Sequence, residues 1–223
     1  MGAAIGQSLP VAVGVMISPL PIVAVVLMLV SGRARANAVA FVVAWFVGVG
    51  GVALVVALLA GAATPDADGP PTWAAVVKIV LGLLLVLLAV QQWRGRPREG
   101  VEAPVPSWMG AIDRFTPVRA GGLALLLGVV NPKNLLLVVS GGAAIATAAP
   151  GDTTAAVVAA VVFGAVASVG VAAPLVIYLA MGSRAPILLD ELKAWLIQHN
   201  AVVMAVLLLV LGAKMLGDGI SAL

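Results

Sequence analysis

The stretch "GVVNPKNLLLVVSGG" (residues 128–142) decides the fold, because it interrupts a long apolar run with a proline and a charge. A proline inside a helix removes one backbone hydrogen bond and clashes with the preceding turn. Lys133 follows Gly121 by twelve residues, which is roughly 18 Å along a helix. A charge at the centre of a bilayer costs about 2.5–3.5 kcal/mol on insertion scales. We therefore expect Lys133 to lie in a polar cavity inside a membrane protein.

The composition of the whole chain is that of an integral membrane protein. Of its 223 residues, 63% are hydrophobic and 9% are charged, whereas a soluble domain carries about 25% charged residues. Uncharged apolar runs of about 18 residues or more recur, and each is long enough to cross a bilayer. These runs are continuous and do not alternate as the strands of a membrane barrel do. The sequence therefore predicts an all-α bundle.

Six membrane spans are predicted, and the loops between them divide by charge. Three loops carry nine of the twelve basic residues, whereas the other two carry three aspartates and no basic residue. The positive-inside rule places the basic loops in the cytoplasm. The sequence therefore predicts a multi-pass membrane protein with both termini outside. The predicted spans are 4–30, 38–62, 72–93, 121–149, 153–182 and 199–217, and the basic loops are 31–37, 94–120 and 183–198.

Three lysines lie within the predicted spans. Lys78 and Lys214 are close to the outer ends of their spans, where a four-carbon stem lets the ammonium group reach the membrane surface. We expect these two lysines to be interfacial anchors. Lys133 is too deep for that role.

The two halves of the chain contain similar interruptions, which predict an inverted repeat. The first span contains "ISPLPIV" (17–23), which aligns with "VNPKNLL" (130–136) of the fourth span. Each segment places a polar residue before a proline, Ser18 in the first and Asn131 in the second. Three spans in each half give the halves opposite orientations. The predicted organisation is a first three-helix repeat (1–93), a cytoplasmic linker loop (94–120) and a second, inverted three-helix repeat (121–223).

Small residues recur at every fourth position of the second and fifth spans. Such tapes let helix backbones approach closely in lipid. They pack either within one chain or between two chains, and the sequence leans to a homodimer. The tape residues are Ala36, Ala40, Ala44 and Gly48 in the second span, and Ala156, Ala160, Gly164, Ser168 and Ala172 in the fifth.

The proline breaks predict a binding site. Secondary transporters place interrupted helices from two inverted halves near the midplane, where helix ends and freed backbone groups bind substrate. A pair of simple proline kinks is the alternative, and Lys133 favours the site. An ammonium near a helix N-terminus suits a carboxylate, phosphate or sulfate group. The candidate substrate-binding residues are Ser18, Pro19, Pro21, Asn131, Pro132, Lys133 and Asn134.

Several kinds of site are missing from the sequence. The chain has no cysteine, which excludes a disulfide framework, a thiol metal site and thiol redox chemistry. No Asp or Glu lies well inside a predicted span, so we expect neither a carboxylate proton relay nor a carboxylate cation site. The sequence has no G-x-x-x-x-G-K-[ST] phosphate loop and no nucleophile with a credible base or metal set. We therefore expect no catalysis, no bound metal and no cofactor.

The segments "ISPLPIVAVVLMLVSGRARANAVAFVVAW" (17–45) and "NPKNLLLVVSGGAAI" (131–145) resemble the GAP-type family. These are the peptidoglycolipid- and sulfolipid-addressing proteins of actinobacteria, within the lysine-exporter (LysE) superfamily. The resemblance covers nearly the whole chain and implies a role in moving glycolipids, often anionic, across or out of the inner membrane. The first motif continues to Arg33 and Asn37. With Arg35, these are candidates for head-group recruitment, although setting the topology is the favoured role of the two arginines.

Three functions remain open from the sequence. The leading hypothesis is a transporter or flippase that exports an anionic glycolipid or lipid-linked intermediate, with its head group at the two breaks. The runner-up is an exporter of an amino acid or other small organic anion, with the same fold and site. The third is a non-catalytic scaffold that docks a larger lipid-export machinery through loop 94–120, in which "PSWMGAIDRF" (106–115) would lie on the membrane interface. The expected partners are lipids, export machinery or a second copy of the chain, and no nucleic acid.

Overall fold

The computed structural model describes residues 1–62, 72–97 and 107–221, and no strand occurs among them. The predicted loop with Asp66 and Asp68 and the linker residues 98–106 lie outside the described residues. The helices long and apolar enough to cross a membrane are Ala34–Ala62, Ala75–Arg94, Thr153–Met181 and Ala185–Ile220. Two pairs of shorter helices meet the same criterion only as bent pairs, which gives up to six spans. The chain is therefore an all-helical, multi-pass membrane protein in its described part.

The described part of the chain contains eight α-helices. They are α1 (Gly2–Met16), α2 (Pro19–Leu29), α3 (Ala34–Ala62), α4 (Thr72–Arg94), α5 (Pro117–Leu125), α6 (Pro132–Ala148), α7 (Thr153–Met181) and α8 (Ala185–Ile220). A π-helical turn, Leu126–Val130, continues α5, and 3₁₀ segments cover Ser107–Arg114 and Gly182–Arg184. Proline lies in the first turn of α2, α5 and α6, where its fixed φ suits a helix and its missing N–H breaks no helical bond.

The last helix begins fourteen residues before the predicted sixth span, so the prediction of a loop over 183–198 is wrong from Ala185 onward. The segment is polar enough to leave the membrane but is rich in helix-forming residues. Lys193 also donates to the Asp190 carboxylate at 2.6 Å, one turn away on the same helix. With 36 residues, α8 is roughly 54 Å long. It therefore extends beyond a hydrocarbon core of about 30 Å.

Helices α3 and α7 cross where two glycines face each other. A Cβ atom built on Gly164 would lie 3.1 Å from the Cα atom of Gly50, so the two backbones are as close as small residues permit. The indole N–H of Trp45 in α3 donates to the Ala167 carbonyl of α7 at 3.2 Å. Around this crossing, α1 packs on α6 and α7, and α5 packs on α3.

A second close helix pair is formed by α4 and α8. A Cβ atom on Gly82 would lie 3.0 Å from the Gly212 carbonyl oxygen, and one on Gly212 would lie 2.9 Å from the Gly82 carbonyl oxygen. Because either Cβ would press on backbone, this contact needs glycine on both sides. The pair is joined to the rest of the bundle through α2, which packs on α8, and α6, which contacts α4.

The small-residue tapes pack within the chain. The Cβ atom of Ala44 is 3.4 Å from a Cβ built on Gly121 of α5, and a Cβ on Gly48 would lie 2.6 Å from Leu125 Cδ2. The Ala160 carbonyl oxygen is likewise 3.5 Å from a Cβ built on Gly50. The tapes therefore join α3 to α5 and α7 to α3. The homodimer stays a prediction.

The 3₁₀ segment Ser107–Arg114 of the linker packs on the protein. Met109 forms a small apolar cluster with Val23 of α2 and Leu196 of α8, and the Ile112 side chain is 1% exposed. The face with Met109 and Ile112 is therefore covered by the bundle, and the location of this segment at the membrane interface stays a prediction.

Candidate functional site

Two breaks interrupt the bent helix pairs, and their backbones adopt the same conformation. Ser18 has φ −64° and ψ 110°, and Asn131 has φ −61° and ψ 118°. Each is extended, the conformation that a following proline favours, and each helix restarts at that proline. The bend is 53° between α1 and α2 and 67° between α5 and α6. The residues aligned in the sequence therefore occupy equivalent pieces of backbone.

A buried hydrogen bond joins the two breaks directly. The Ser18 hydroxyl donates to Asn134 Oδ1 at 2.8 Å, across 116 residues of sequence. The Asn134 amide then donates to the Leu127 carbonyl oxygen at 2.8 Å. The Ser18 and Asn134 side chains are 2% and 1% exposed. These two side chains therefore hold the breaks together, and their donor groups are already used inside the protein.

The second break frees carbonyl oxygens of the π-helical turn. The Asn131 N–H donates to the Leu126 carbonyl at 2.8 Å, so the Leu127 carbonyl is left for the Asn134 amide. Pro132 has no N–H to give to Gly128. The Lys133 N–H donates to Asn131 Oδ1 at 3.1 Å. Because this N–H caps the helix, it does not donate to the Val129 carbonyl oxygen as it would in a continuous helix. The break therefore offers backbone acceptors, and its helix N-terminus offers fewer free N–H donors than an uncapped helix would.

The first break is sealed by α7. Pro19 and Pro21 remove two donors at the start of α2, and the Ser18 N–H donates to the Val15 carbonyl at 3.2 Å. A Cβ atom built on Gly170 would lie 1.9 Å from the Met16 carbonyl oxygen. No side chain fits there, so glycine at this position allows α7 to lie directly against the break.

Lys133 occupies the second position of α6 with its side chain partly buried. In the described part of the chain the ion pairs are Lys193–Asp190 and Lys214–Asp218, and the Lys133 ammonium has no hydrogen-bond or ion-pair partner. Helical side chains lean toward the helix N-terminus, which directs Lys133 back toward the break. The second break therefore combines an unpaired positive charge with freed carbonyl oxygens.

The two breaks differ in exposure. Around the second break, Val130 is 64% exposed, Leu126 is 53% exposed and Pro132 is exposed. At the first break, Pro19 and Pro21 are buried in the bundle with Ser18. The second break is therefore exposed on an apolar surface of the bundle, whereas the first is reached only through protein.

The three residues predicted for head-group recruitment lie away from the breaks. Arg33 and Arg35 are exposed at the end of α2 opposite its break, and the 11 residues of α2 span roughly 16 Å. Asn37 is 1% exposed, and its amide donates to the Phe115 carbonyl at 3.0 Å. Its Oδ1 atom is buried without a partner. Asn37 therefore ties the end of the linker to α3, and its burial removes it from the recruiting set.

Two cavities lie beside the break helices, and neither is lined by residues 131–134. An open groove of about 900 Å³ runs between α3 and α5 from Arg35 to Leu125. A small pocket of about 30 Å³ lies among α1, α4, α6 and α8 and is lined by both Lys78 and Lys214. The two predicted anchors therefore converge on one polar pocket, where Lys214 pairs with Asp218. Among the described residues, no three His, Asp or Glu side chains are close enough to hold a metal ion.

Two site-forming residues were not predicted from the sequence. Gly170 was one glycine among 25, and no pattern distinguished it. The position of Trp45 could have been noticed in the sequence, because it lies in the middle of a predicted span whereas tryptophan prefers membrane interfaces. Its ring packs 3.2 Å from a Cβ built on Gly128, so it supports the π-helical turn that leads to the second break.

Comparison with known proteins adds one finding. A family model described as "Sap, sulfolipid-1-addressing protein" matches residues 9–221, which include both breaks. No curated protein and no solved structure matches the chain.

Proposed function

We propose that this chain, which belongs to the sulfolipid-1-addressing protein family, is a transporter or flippase for an anionic glycolipid or lipid-linked intermediate of the bacterial inner membrane. The observation that carries the proposal is the Lys133 ammonium, which is unpaired among the described residues, at a break whose apolar surroundings are exposed on the bundle. A soluble substrate needs an aqueous path to its site, whereas a lipid can reach this break sideways from the membrane.

The chemistry of the second break suits a charged sugar head group. The Lys133 ammonium would bind a sulfate, phosphate or carboxylate by a charge-assisted hydrogen bond. The carbonyl oxygen of Val129, which loses its helical donor at the break, would accept a hydrogen bond from a sugar hydroxyl. An anionic glycolipid carries both kinds of group on one head, and its acyl chains can stay in the bilayer.

The packing of the helices supports an inverted repeat as the frame of this site. If residues 1–93 and 121–223 are related by a two-fold axis, α1–α2 correspond to α5–α6, α3 to α7 and α4 to α8. The observed pairs α1–α7 and α5–α3 are then equivalent, and the α3–α7 and α4–α8 pairs lie on the axis. With the basic loops inside, this frame puts both termini outside and residues 94–120 in the cytoplasm, as in a lysine-exporter-type protein.

One departure from this symmetry indicates the state of the transporter. Helix α1 packs along α6, whereas α2 has no comparable packing on α5, its symmetry-related partner, in the described residues. Inverted repeats exchange two such arrangements during alternating access. We assign the observed arrangement to a state closed on the outer side, where α1 and α6 lie, and open toward the cytoplasm.

Exchanging Lys133 tests the proposal. Lys133→Ala should weaken the binding of a sulfated galactosylceramide by at least about tenfold, because a hydrogen bond to a charged group is worth about 1.5–3 kcal/mol. Lys133→Arg should retain most binding, and Lys193→Ala is the control for removing a lysine. Native mass spectrometry measures binding, and quenching of a fluorescent sulfated lipid in vesicles measures its movement. Wild-type movement of the lipid by Lys133→Ala would refute the site.

The same assays separate the alternatives. A small-solute exporter would release a radiolabelled amino acid from the same vesicles and leave the lipid in place. A scaffold would bind lipid without moving it and would lose its partner when residues 98–106 are replaced by a neutral linker. The exposure of the second break on the apolar surface of the bundle favours the lipid over both alternatives.

A further inference from the structure

We propose that the groove between α3 and α5 binds one anionic lipid of the cytoplasmic leaflet, with its head group at Arg35 and an acyl chain along the groove. This inference deepens the proposed function by naming a route for the lipid. It rests on the proposed function because the groove would deliver that lipid to the binding site at the second break.

The groove is shaped by the alternation of small and branched residues on α3. Its floor contains Ala36, Ala40 and Ala44, and exposed valines on the same helix form one wall. Pro117 and Leu125 of α5 complete the lining. Three alanines at four-residue intervals leave a continuous trough, because each lacks the atoms that would fill it. The trough is apolar throughout its length, as an acyl chain requires.

The length of the groove matches one leaflet. Its lining extends from Arg35 to Val47, which is roughly 18 Å along α3. Half of a hydrocarbon core is about 15 Å. One acyl chain of the leaflet on the Arg35 side would therefore fill the groove from the head-group region to the middle of the membrane.

The charge at one end of the groove selects the head group. Arg35 is exposed and lines the groove, Arg33 is exposed two residues earlier, and Arg119 is exposed in the first turn of α5. None of the three has an ion-pair partner among the described residues. A basic residue near the membrane surface favours an anionic lipid by about fivefold. A zwitterionic lipid gains little at this end.

The inner end of the groove leads to the second break. A Cβ atom on Gly48, next to Val47, would lie 2.6 Å from Leu125 Cδ2 and 3.6 Å from Val129 Cγ1. Val129 belongs to the π-helical turn and precedes Asn131 by two residues. The inner end of the groove at Leu125 thus adjoins the π-helical turn that precedes Lys133 in the chain.

Photo-crosslinking from inside the groove tests the proposal. The full chain carries a benzophenone side chain at Val43, which is 55% exposed in the groove, or at the control position Val161, which is 52% exposed on α7. The protein is placed in vesicles of equimolar phosphatidylglycerol and phosphatidylcholine. We expect about fivefold enrichment of phosphatidylglycerol among the adducts at Val43 and none at Val161. Arg35→Gln should remove the enrichment, and Ala40→Leu should lower total lipid labelling at Val43 by filling the floor.

Other results would refute the lipid site in the groove. Equal labelling at Val43 and Val161, or enrichment that survives Arg35→Gln, would show that Arg35 selects no lipid there. A cross-link from Val43 to a second copy of the chain would identify the face as a dimer contact. If phosphatidylglycerol is not enriched at Val43 while Lys133→Ala still stops lipid movement, the lipid site in the groove is refuted and the proposed function stands. If the enrichment holds while Lys133→Ala moves lipid normally, the groove stands as a lipid site and the break site is wrong.

Discussion

Breaking the hydrogen bond between Ser18 and Asn134 should destabilise the protein by uncoupling its two helix breaks. The bond is 2.8 Å long and both side chains are buried. A neutral hydrogen bond contributes about 1 kcal/mol net to stability, and bonds between membrane helices average about 0.6 kcal/mol with a maximum near 1.7. We therefore expect a coupling energy of roughly 0.6–1.7 kcal/mol between the two side chains.

The single substitutions should differ in a defined order. Ser18→Ala leaves Asn134 Oδ1 buried without its donor, and an unsatisfied buried group costs about 1–3 kcal/mol. Asn134→Ala loses this bond and also the bond to the Leu127 carbonyl, so its cost should be about twice as large. Asn134→Ala should therefore unfold at lower denaturant than Ser18→Ala, which in turn should unfold before the wild type.

A double-mutant cycle measures the coupling through reversible unfolding in mixed detergent micelles, followed by circular dichroism. The control is Ser168→Ala, because the Ser168 hydroxyl donates at 2.6 Å to Gly164 in its own helix. Its coupling with Asn134→Ala should vanish within about 0.3–0.5 kcal/mol, the usual limit of additivity. A Ser18–Asn134 coupling within that same limit would refute the idea that this bond joins the breaks.

Two further predictions concern the packing around the breaks. Gly170→Ala should destabilise the protein by about 1–3 kcal/mol in the same unfolding assay, because its Cβ would lie 1.9 Å from the Met16 carbonyl oxygen. Gly217→Ala, whose Cβ position has no neighbour within 4 Å, should be neutral or stabilising, and equal losses in the two variants would contradict the close approach. Gly14→Cys combined with Leu137→Cys places thiols on α1 and α6 of this cysteine-free chain, with Leu137 Cδ1 3.8 Å from a Cβ on Gly14. The end of the Leu211 side chain, whose Cδ1 atom would lie 2.6 Å from that Cβ, has to shift to another rotamer. A short bifunctional thiol reagent that links the two cysteines should stop lipid movement in vesicles, because α1 and α6 could then no longer separate. The protein should still bind lipid, as seen by native mass spectrometry. Continued lipid movement would show that transport does not need α1 and α6 to separate.

The positions of the helix breaks were predictable because proline acts through its covalent ring. The ring removes one N–H and favours an extended residue before it, as Ser18 and Asn131 are, whereas Pro10 and Pro174 lie inside α1 and α7 without such a break. The match to the sulfolipid-1-addressing family confirms the resemblance that these motifs suggested. The apolar runs correctly predicted a helical multi-pass protein. The exact six-span inverted repeat and the orientation of the termini stay predictions.

Other features could not be predicted because they depend on what lies nearby. The charges of residues 183–198 predict a loop, but charge excludes a segment from lipid and does not exclude a helix. Asn37 follows a basic motif and was expected near head groups, yet it is buried against Phe115. Lys78 and Lys214 belong to helices that are distant in sequence, and only their packing brings both to one pocket.

The sequence by itself determined which segments are apolar enough for the membrane, where their helices break and which charge lies at the second break. These properties follow from side-chain hydrophobicity and from proline geometry, which are local. The tertiary structure alone decided that Ser18 bonds to Asn134 and that Gly170 lets α7 lie against the first break. It also decided that the break with Lys133 is exposed on the bundle surface while the first break is buried. The Ser18–Asn134 and Gly170–Met16 contacts join residues more than one hundred positions apart. They depend on how the helices pack together, so no local sequence pattern predicts them.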